Sequence, residues 1–333
     1  MGIFLLKKLG TLLLALFVIS LISFAGVRIV GTPVYLMVGQ QFTSEMVESI
    51  NARLGLDQPI YVQYARYLRG ILSGNLGVSR FTYNPVIFDI AQRLPATIEL
   101  TTTALILIIL WSLPAGVIAA LKESKPIDKA ILFESKVGVS VVEFWLGLVL
   151  IYFFCYRCHL FPNPVGRLPF LALIPKHVTG LYTIDSLIAG DTKTFLMAVH
   201  NLILPAFTLA FTISPGTLLL TRATLRNILK TDYMRTARAF GLPKRLLYKY
   251  MLRNAFPSIL TVLALAFGHF ISGAVLVEVV FAWPGIGRYA VVALQNSDYE
   301  PIIGIILLVC IVYAVIYFLI DIICANIDPR YRL

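Results

Sequence analysis

Six stretches of this 333-residue chain are each long and apolar enough to cross a bilayer as a helix, which leaves few alternatives for its fold. A spanning helix needs about 20 mostly apolar residues to cover roughly 30 Å of hydrocarbon. Residues 9–30, 97–121, 137–156, 202–221, 255–277 and 301–320 qualify, and the last three contain no Asp, Glu, Lys or Arg. The run 168–175 is too short to cross and belongs to an external loop. Charged residues make up 14% of the chain and hydrophobic ones 59%. A soluble domain carries about 25% charged residues. An all-α integral membrane protein is therefore expected.

The first span has a positive start at Lys7 and Lys8, and Ser23-Phe24-Ala25 has the look of a cleavage site. Its apolar run is longer than the core of a secretory signal, so it reads as an uncleaved anchor. The net charge of +11 suggests a nucleic-acid partner only until its distribution is examined. Lys122, Lys125, Lys129 and Lys136 cluster between spans two and three. Residues 222–253 hold nine basic residues against the single acid Asp232. Basic residues in short loops set topology and meet anionic headgroups, so nucleic acid is excluded and lipid is the neighbour. Both termini are placed in the cytoplasm, with residues 31–95 and 157–201 outside.

Three regions follow: a first transmembrane helix (1–30), an extracytoplasmic cap (31–95) and a core of five further spans (96–333). Within the cap, helical spacing is expected over 43–54 and 60–72, where Ile60, Tyr64, Tyr67, Leu68 and Ile71 share a face.

Residues 222–254 form a cytoplasmic loop far longer than a connection requires. Arg222, Arg226 and Lys230 recur every fourth residue and extend span four as a basic stripe. Thr231-Asp232 offers an N-cap to a short helix at 233–240. Gly241-Leu242-Pro243 breaks the chain, and a second amphipathic helix is expected over 244–253. Such a helical knob suits docking by another protein or adsorption on anionic lipid. The residues alone leave both open.

The segment Asp232-Tyr233-Met234-Arg235-Thr236-Ala237-Arg238-Ala239-Phe240-Gly241-Leu242, followed by Arg253-Asn254-Ala255, resembles the coupling (EAA) motif of ABC importer permeases. Arg235 and Thr236 stand where that motif has Glu and Ala, as is usual in its peptide/nickel branch. Further stretches resemble the same family: Leu54-Gly55-Leu56-Asp57-Gln58-Pro59, Leu94-Pro95-Ala96-Thr97-Ile98-Glu99-Leu100, Phe281-Ala282-Trp283-Pro284-Gly285-Ile286-Gly287-Arg288 and Asp328-Pro329-Arg330. The resemblance runs nearly end to end. It implies a type I ABC importer permease fold in a bacterial inner membrane. It also implies a second homologous permease subunit, two cytoplasmic ATPase subunits and an extracytoplasmic solute-binding protein.

The chain lacks a Gly-x-x-x-x-Gly-Lys-Ser/Thr phosphate loop, so ATP and Mg are expected on the partner subunits and no cofactor on this chain. The residues that the resemblance assigns to ATPase coupling are Asp232, Tyr233, Arg235, Thr236, Ala237, Arg238, Ala239, Gly241 and Leu242. The second outer loop resembles the longer insert of dipeptide-type permeases, which implies di- or oligopeptide cargo. Nickel or another metal chelate is the alternative within the family. An ion-coupled secondary carrier is the rival outside it, and a membrane-embedded enzyme has no motif in its favour.

Charges within spans are costly and mark functional candidates. Glu99, Glu278 and Asp321 lie near span ends, where local pairing accounts for them. Glu143 falls inside span three, where relatives usually have Ser-Ile-Pro-Ser-Phe-Trp and this chain has Ser140-Val141-Val142-Glu143-Phe144-Trp145. Glu143, Gly268, Ser272, Gly273 and Glu278 are grouped as candidates for the translocation pathway. Cys155-Tyr156-Arg157-Cys158-His159 fits a haem-attachment pattern, yet it ends an apolar helix with no room for a macrocycle. It reads as a pair of packing cysteines, and no metal is expected.

Overall fold

The computed structural model describes residues 2–29, 57–169 and 172–327, without the side chains of 2–5, 27–29, 271, 272 and 327. The expected helix at 43–54 and the Asp328-Pro329-Arg330 motif lie outside the described residues. Eleven α-helices order the described chain: α1 Gly2–Ile29, α2 Ile60–Leu72, α3 Val86–Leu121, α4 Pro126–Ser140, α5 Glu143–Leu150, α6 Tyr182–Ile188, α7 Thr192–Leu229, α8 Asp232–Ala239, α9 Lys244–Val280, α10 Ile286–Gln295 and α11 Tyr299–Ile327. A π-helical segment, Ile151–Arg157, continues α5. Among the described residues the only β pairing is an isolated bridge between Val78 and Pro85.

Among the described residues, five helices are long and apolar enough to span a membrane, and a sixth span is counted if α4 and α5 with its π segment are taken together. That pair corrects the expectation of one straight helix over 137–156: it is bent by 101° at Val141 and Val142. Both residues are extended, with ψ of 129° and 139°, so the i to i−4 ladder stops even though no proline stands there. The second amphipathic helix is also corrected. Residues 244–253 are the first turns of α9, which carries Pro257 inside it and continues unbroken to Val280.

The chain divides into two compact units, Met1–Ala91 with Val292–Phe318, and Gln92–Val291 with Leu319–Leu333. In the first unit, the Tyr64 ring of α2 meets Phe24 of α1 edge-on, 5.3 Å between centroids, and its hydroxyl bonds Ser20 at 2.7 Å. The turn before α3 is fastened by Asp298. One of its carboxylate oxygens accepts from the Ser79 hydroxyl at 2.6 Å and from the amides of Arg80 and Phe81 at 2.9 and 3.2 Å. Gly304 lets α11 approach Val86, because a Cβ there would come within 2.9 Å of the valine.

The second unit is built on α7 against α9. Its core holds Leu100, Ile108, Leu209, Phe270 and Trp283. Pro215 within α7 lacks an amide donor, and α4 nests against it through Gly138. A Cβ on that glycine would lie 2.6 Å from the proline ring. In the segment between α5 and α7, Arg167 donates two bonds to Glu99 and stacks on the Tyr182 ring, while Thr183 donates to the other Glu99 oxygen. Glu99 is thus paired locally, as its place near a span end suggested.

Candidate functional site

The basic knob between the fourth and fifth spans is assembled from the end of α7, all of α8 and the start of α9. Met234 is fully buried and packs with Ala120, Leu225, Leu247, Met251 and Ala255; Ala237 and Leu242 press against the same cluster. This anchoring needs only one apolar face on α8, which an eight-residue helix supplies with Met234 and Ala237 three positions apart.

Gly241 ends α8 at φ +71°, a conformation that L side chains rarely adopt. The Gly241 amide donates to Arg238 O and the Leu242 amide to Ala237 O, at 3.0 and 3.2 Å. This is a Schellman closure, with the Leu242–Ala237 contact that accompanies it. Thr231 holds the N-cap position, but its hydroxyl turns back to Ile228 O at 2.6 Å rather than capping α8.

Tyr233, Arg235, Thr236, Arg238, Ala239 and Phe240 are left exposed, Phe240 to 80%. Asp232 and Arg235 are 3.5 Å apart and both solvated, which contributes little. The basic stripe behind α8 is partly neutralised, a point that helical spacing alone could not reveal. Arg222 holds Asp128 with two bonds of 2.8 and 2.7 Å, and Arg226 pairs with Glu123. Both acids come from the turn between α3 and α4 and the first turn of α4.

The five pathway candidates separate. Glu143 opens α5 at the break in the third span, and its carboxylate faces Gly273 of α9; a Cβ there would lie 3.5 Å from Oε1. Gly268 lies elsewhere: at 100° per residue it is about 140° around α9 from Gly273, so the small residues do not form one stripe. The Ser272 side chain lies outside the described residues.

Glu278 is fully buried within the chain. Its Oε1 accepts from the Thr97 hydroxyl at 2.6 Å and its Oε2 from the Arg288 amide at 2.9 Å. Thr97 in turn accepts from the Ile286 amide at 2.9 Å, and Trp283 Nε1 donates to Ala96 O at 2.8 Å. Gly285 and Gly287 crowd the carboxylate so closely that neither position has room for a Cβ. Two motifs nearly two hundred residues apart, Leu-Pro-Ala-Thr and Trp-Pro-Gly-Ile-Gly-Arg, therefore meet in one knot around Glu278. Their glycines and threonine are read in sequence as family marks; only the fold reveals that one carboxylate joins them.

Cys155 is buried, Cys158 is exposed and both are free thiols. Among the described residues, no group of three or more His, Cys, Asp or Glu side chains is placed to hold a metal ion.

Residues 112–333 match the family described as the binding-protein-dependent transport system inner membrane component, and residues 1–101 match its N-terminal membrane component. The chain belongs to that family. The permease has a type I ABC importer fold and is a multi-pass inner-membrane subunit rather than an enzyme. A system of this kind works with a binding protein and ATPase subunits.

Among its relatives, a probable D,D-dipeptide transport system permease of Escherichia coli K12 is 38% identical over 90% of this chain and 88% of the relative. A di/tripeptide transport system permease of Pseudomonas aeruginosa UCBPP-PA14 is 38% identical over 99% of this chain and 98% of its own length. A glutathione transport system permease of Escherichia coli O6:H1 is 31% identical over 99% and 98%.

Proposed function

We propose that the permease imports di- and oligopeptides, paired with a second homologous permease and driven by two cytoplasmic ATPases that bind ATP and Mg. Its coupling element is α8, and the observation that carries this assignment is the two-sidedness of that helix. Met234 and Ala237 lock one side into the permease, while Tyr233, Arg235, Arg238 and Phe240 project from the other. A helix that is held on one face and bare on the other transmits force between the body beneath it and whatever grips its bare face. Asp232, Thr236, Ala239, Gly241 and Leu242 complete the element as its first turn, its small contact residues and its closing turn. Both termini and the 222–254 loop face the cytoplasm in this reading, which the clustering of basic residues supports. An external binding protein delivers the cargo. The relatives named for dipeptide, di/tripeptide and glutathione transport support peptide over metal-chelate cargo.

The test is a site-directed cross-link. Ala239→Cys, introduced into a Cys158→Ser background, is expected to form a disulfide with a cysteine placed in the ATPase groove, and ATP is expected to change the yield. Cross-linking to neither ATPase, with the 222–254 loop recovered only on anionic lipid, would remove the coupling assignment.

A further inference from the structure

We propose that Glu143 is a cargo-binding residue, taking the α-ammonium group of a peptide as it passes through the membrane. This rests on the peptide-permease reading. The backbone break at Val141 and Val142 is what delivers the carboxylate to this position. Were 137–156 one straight helix, residue 143 would be one of many side chains on its flank. The 101° bend makes it the first residue of a new helix. The outer half, from Glu143 through Arg157, is roughly 20 Å long, so its start lies deep in a hydrocarbon layer of about 30 Å.

The carboxylate at that depth faces Gly273 of α9, and Leu209 of α7 lies beside the same glycine. No hydrogen bond or ion pair reaches it among the described residues, whereas Glu99 and Glu278 are each held by named partners. It is half-buried rather than enclosed. Gly273 presents no side chain toward it, so this position of α9 offers the carboxylate no side-chain partner. An intramembrane carboxylate without a counter-charge is expensive, and it is kept where a cation arrives from elsewhere. Every di- or oligopeptide with a free amino terminus carries one such cation whatever its side chains. A single carboxylate can therefore serve cargo of varied sequence. The contact is non-covalent: the ammonium exchanges water for Glu143 and leaves intact.

The experiment uses the complete transporter, with both permeases, the ATPases and the binding protein, in proteoliposomes. Uptake of a free-amine dipeptide and ATP hydrolysis stimulated by the loaded binding protein are measured together. Glu143→Gln is expected to lower uptake at least tenfold while stimulated hydrolysis stays within twofold, and Glu143→Asp is expected to restore most of the uptake. Unchanged uptake by Glu143→Gln would overturn the proposal. So would a loss that comes with poor recovery of the two-permease complex, because Glu143 would then be neutralising a cation of the partner subunit. If the unmodified complex imports no peptide, the cargo assignment itself fails, and that result is distinct from the other two.

Discussion

At Gly241 the backbone takes φ of +71° with nothing within 4 Å of the place a Cβ would occupy, so a substitution there meets backbone strain alone. Gly241→Ala is expected to weaken the α8 closure by about 1 kcal/mol, and Gly241→Asn by less, since Asn tolerates this region better. Tryptic cleavage after Arg238 reads the effect: roughly a fivefold rise for Ala and a smaller one for Asn.

Asp185 makes a different prediction in the external loop. Burial works to raise its pKa, but bonds from the Thr179 hydroxyl and the amides of Thr179, Val178 and Gly180 outweigh it, and the net result is lowered. A lowered folded-state value means stability that is fully present above the ordinary carboxylate range near pH 4 and lost as pH falls through the folded value. Asp185→Asn is therefore expected to melt below the unmodified protein at pH 7. The gap should narrow as the pH drops below about 4.

Between elements, a buried ion pair fastens the segment between α5 and α6 to α3. Glu99 and Arg167 are both almost fully buried, and the guanidinium also donates to Gly180 O at 2.8 Å. Removing one partner of such a pair costs about 3–5 kcal/mol, because the other charge is left buried and unmatched. Arg167→Ala is expected to lower the melting temperature sharply, while Arg167→Met combined with Glu99→Gln recovers much of the loss. A double variant no better than the single one would mean that the loop is held by its apolar contacts instead.

The number of spans, the long basic excursion between spans four and five and the Gly241 turn are all legible in sequence. Each rests on a local property: apolar length, charge clustering or the conformational range of glycine. The bend between α4 and α5 was not, because two consecutive valines carry no breaking signal and the apolar run continues through them. Nor was the enclosure of Glu278, which depends on Thr97 and on two glycines that become its neighbours only after folding. The pairing of Arg222 and Arg226 is hidden for the same reason: their acids lie about a hundred residues away.

At the scale of the whole molecule, five apolar helices and one bent pair imply a topology that labelling can check. In intact cells carrying otherwise cysteine-free protein, Lys176→Cys is expected to react with a membrane-impermeant maleimide. Arg238→Cys should react only after the membrane is opened. Reversed labelling would invert the orientation and place α8 outside, where no ATPase could reach it.

That α9 is one unbroken helix from Lys244 to Val280 has a mechanical consequence. Its 37 residues make a rod of about 55 Å, with Met251 gripped at one end and the Glu278 knot at the other. A tilt of about 10° at the Lys244 end swings the far end by roughly 10 Å over that length. Movement imposed at the α8 knob is thus amplified at the Glu278 knot, with Pro257 the one proline along the rod.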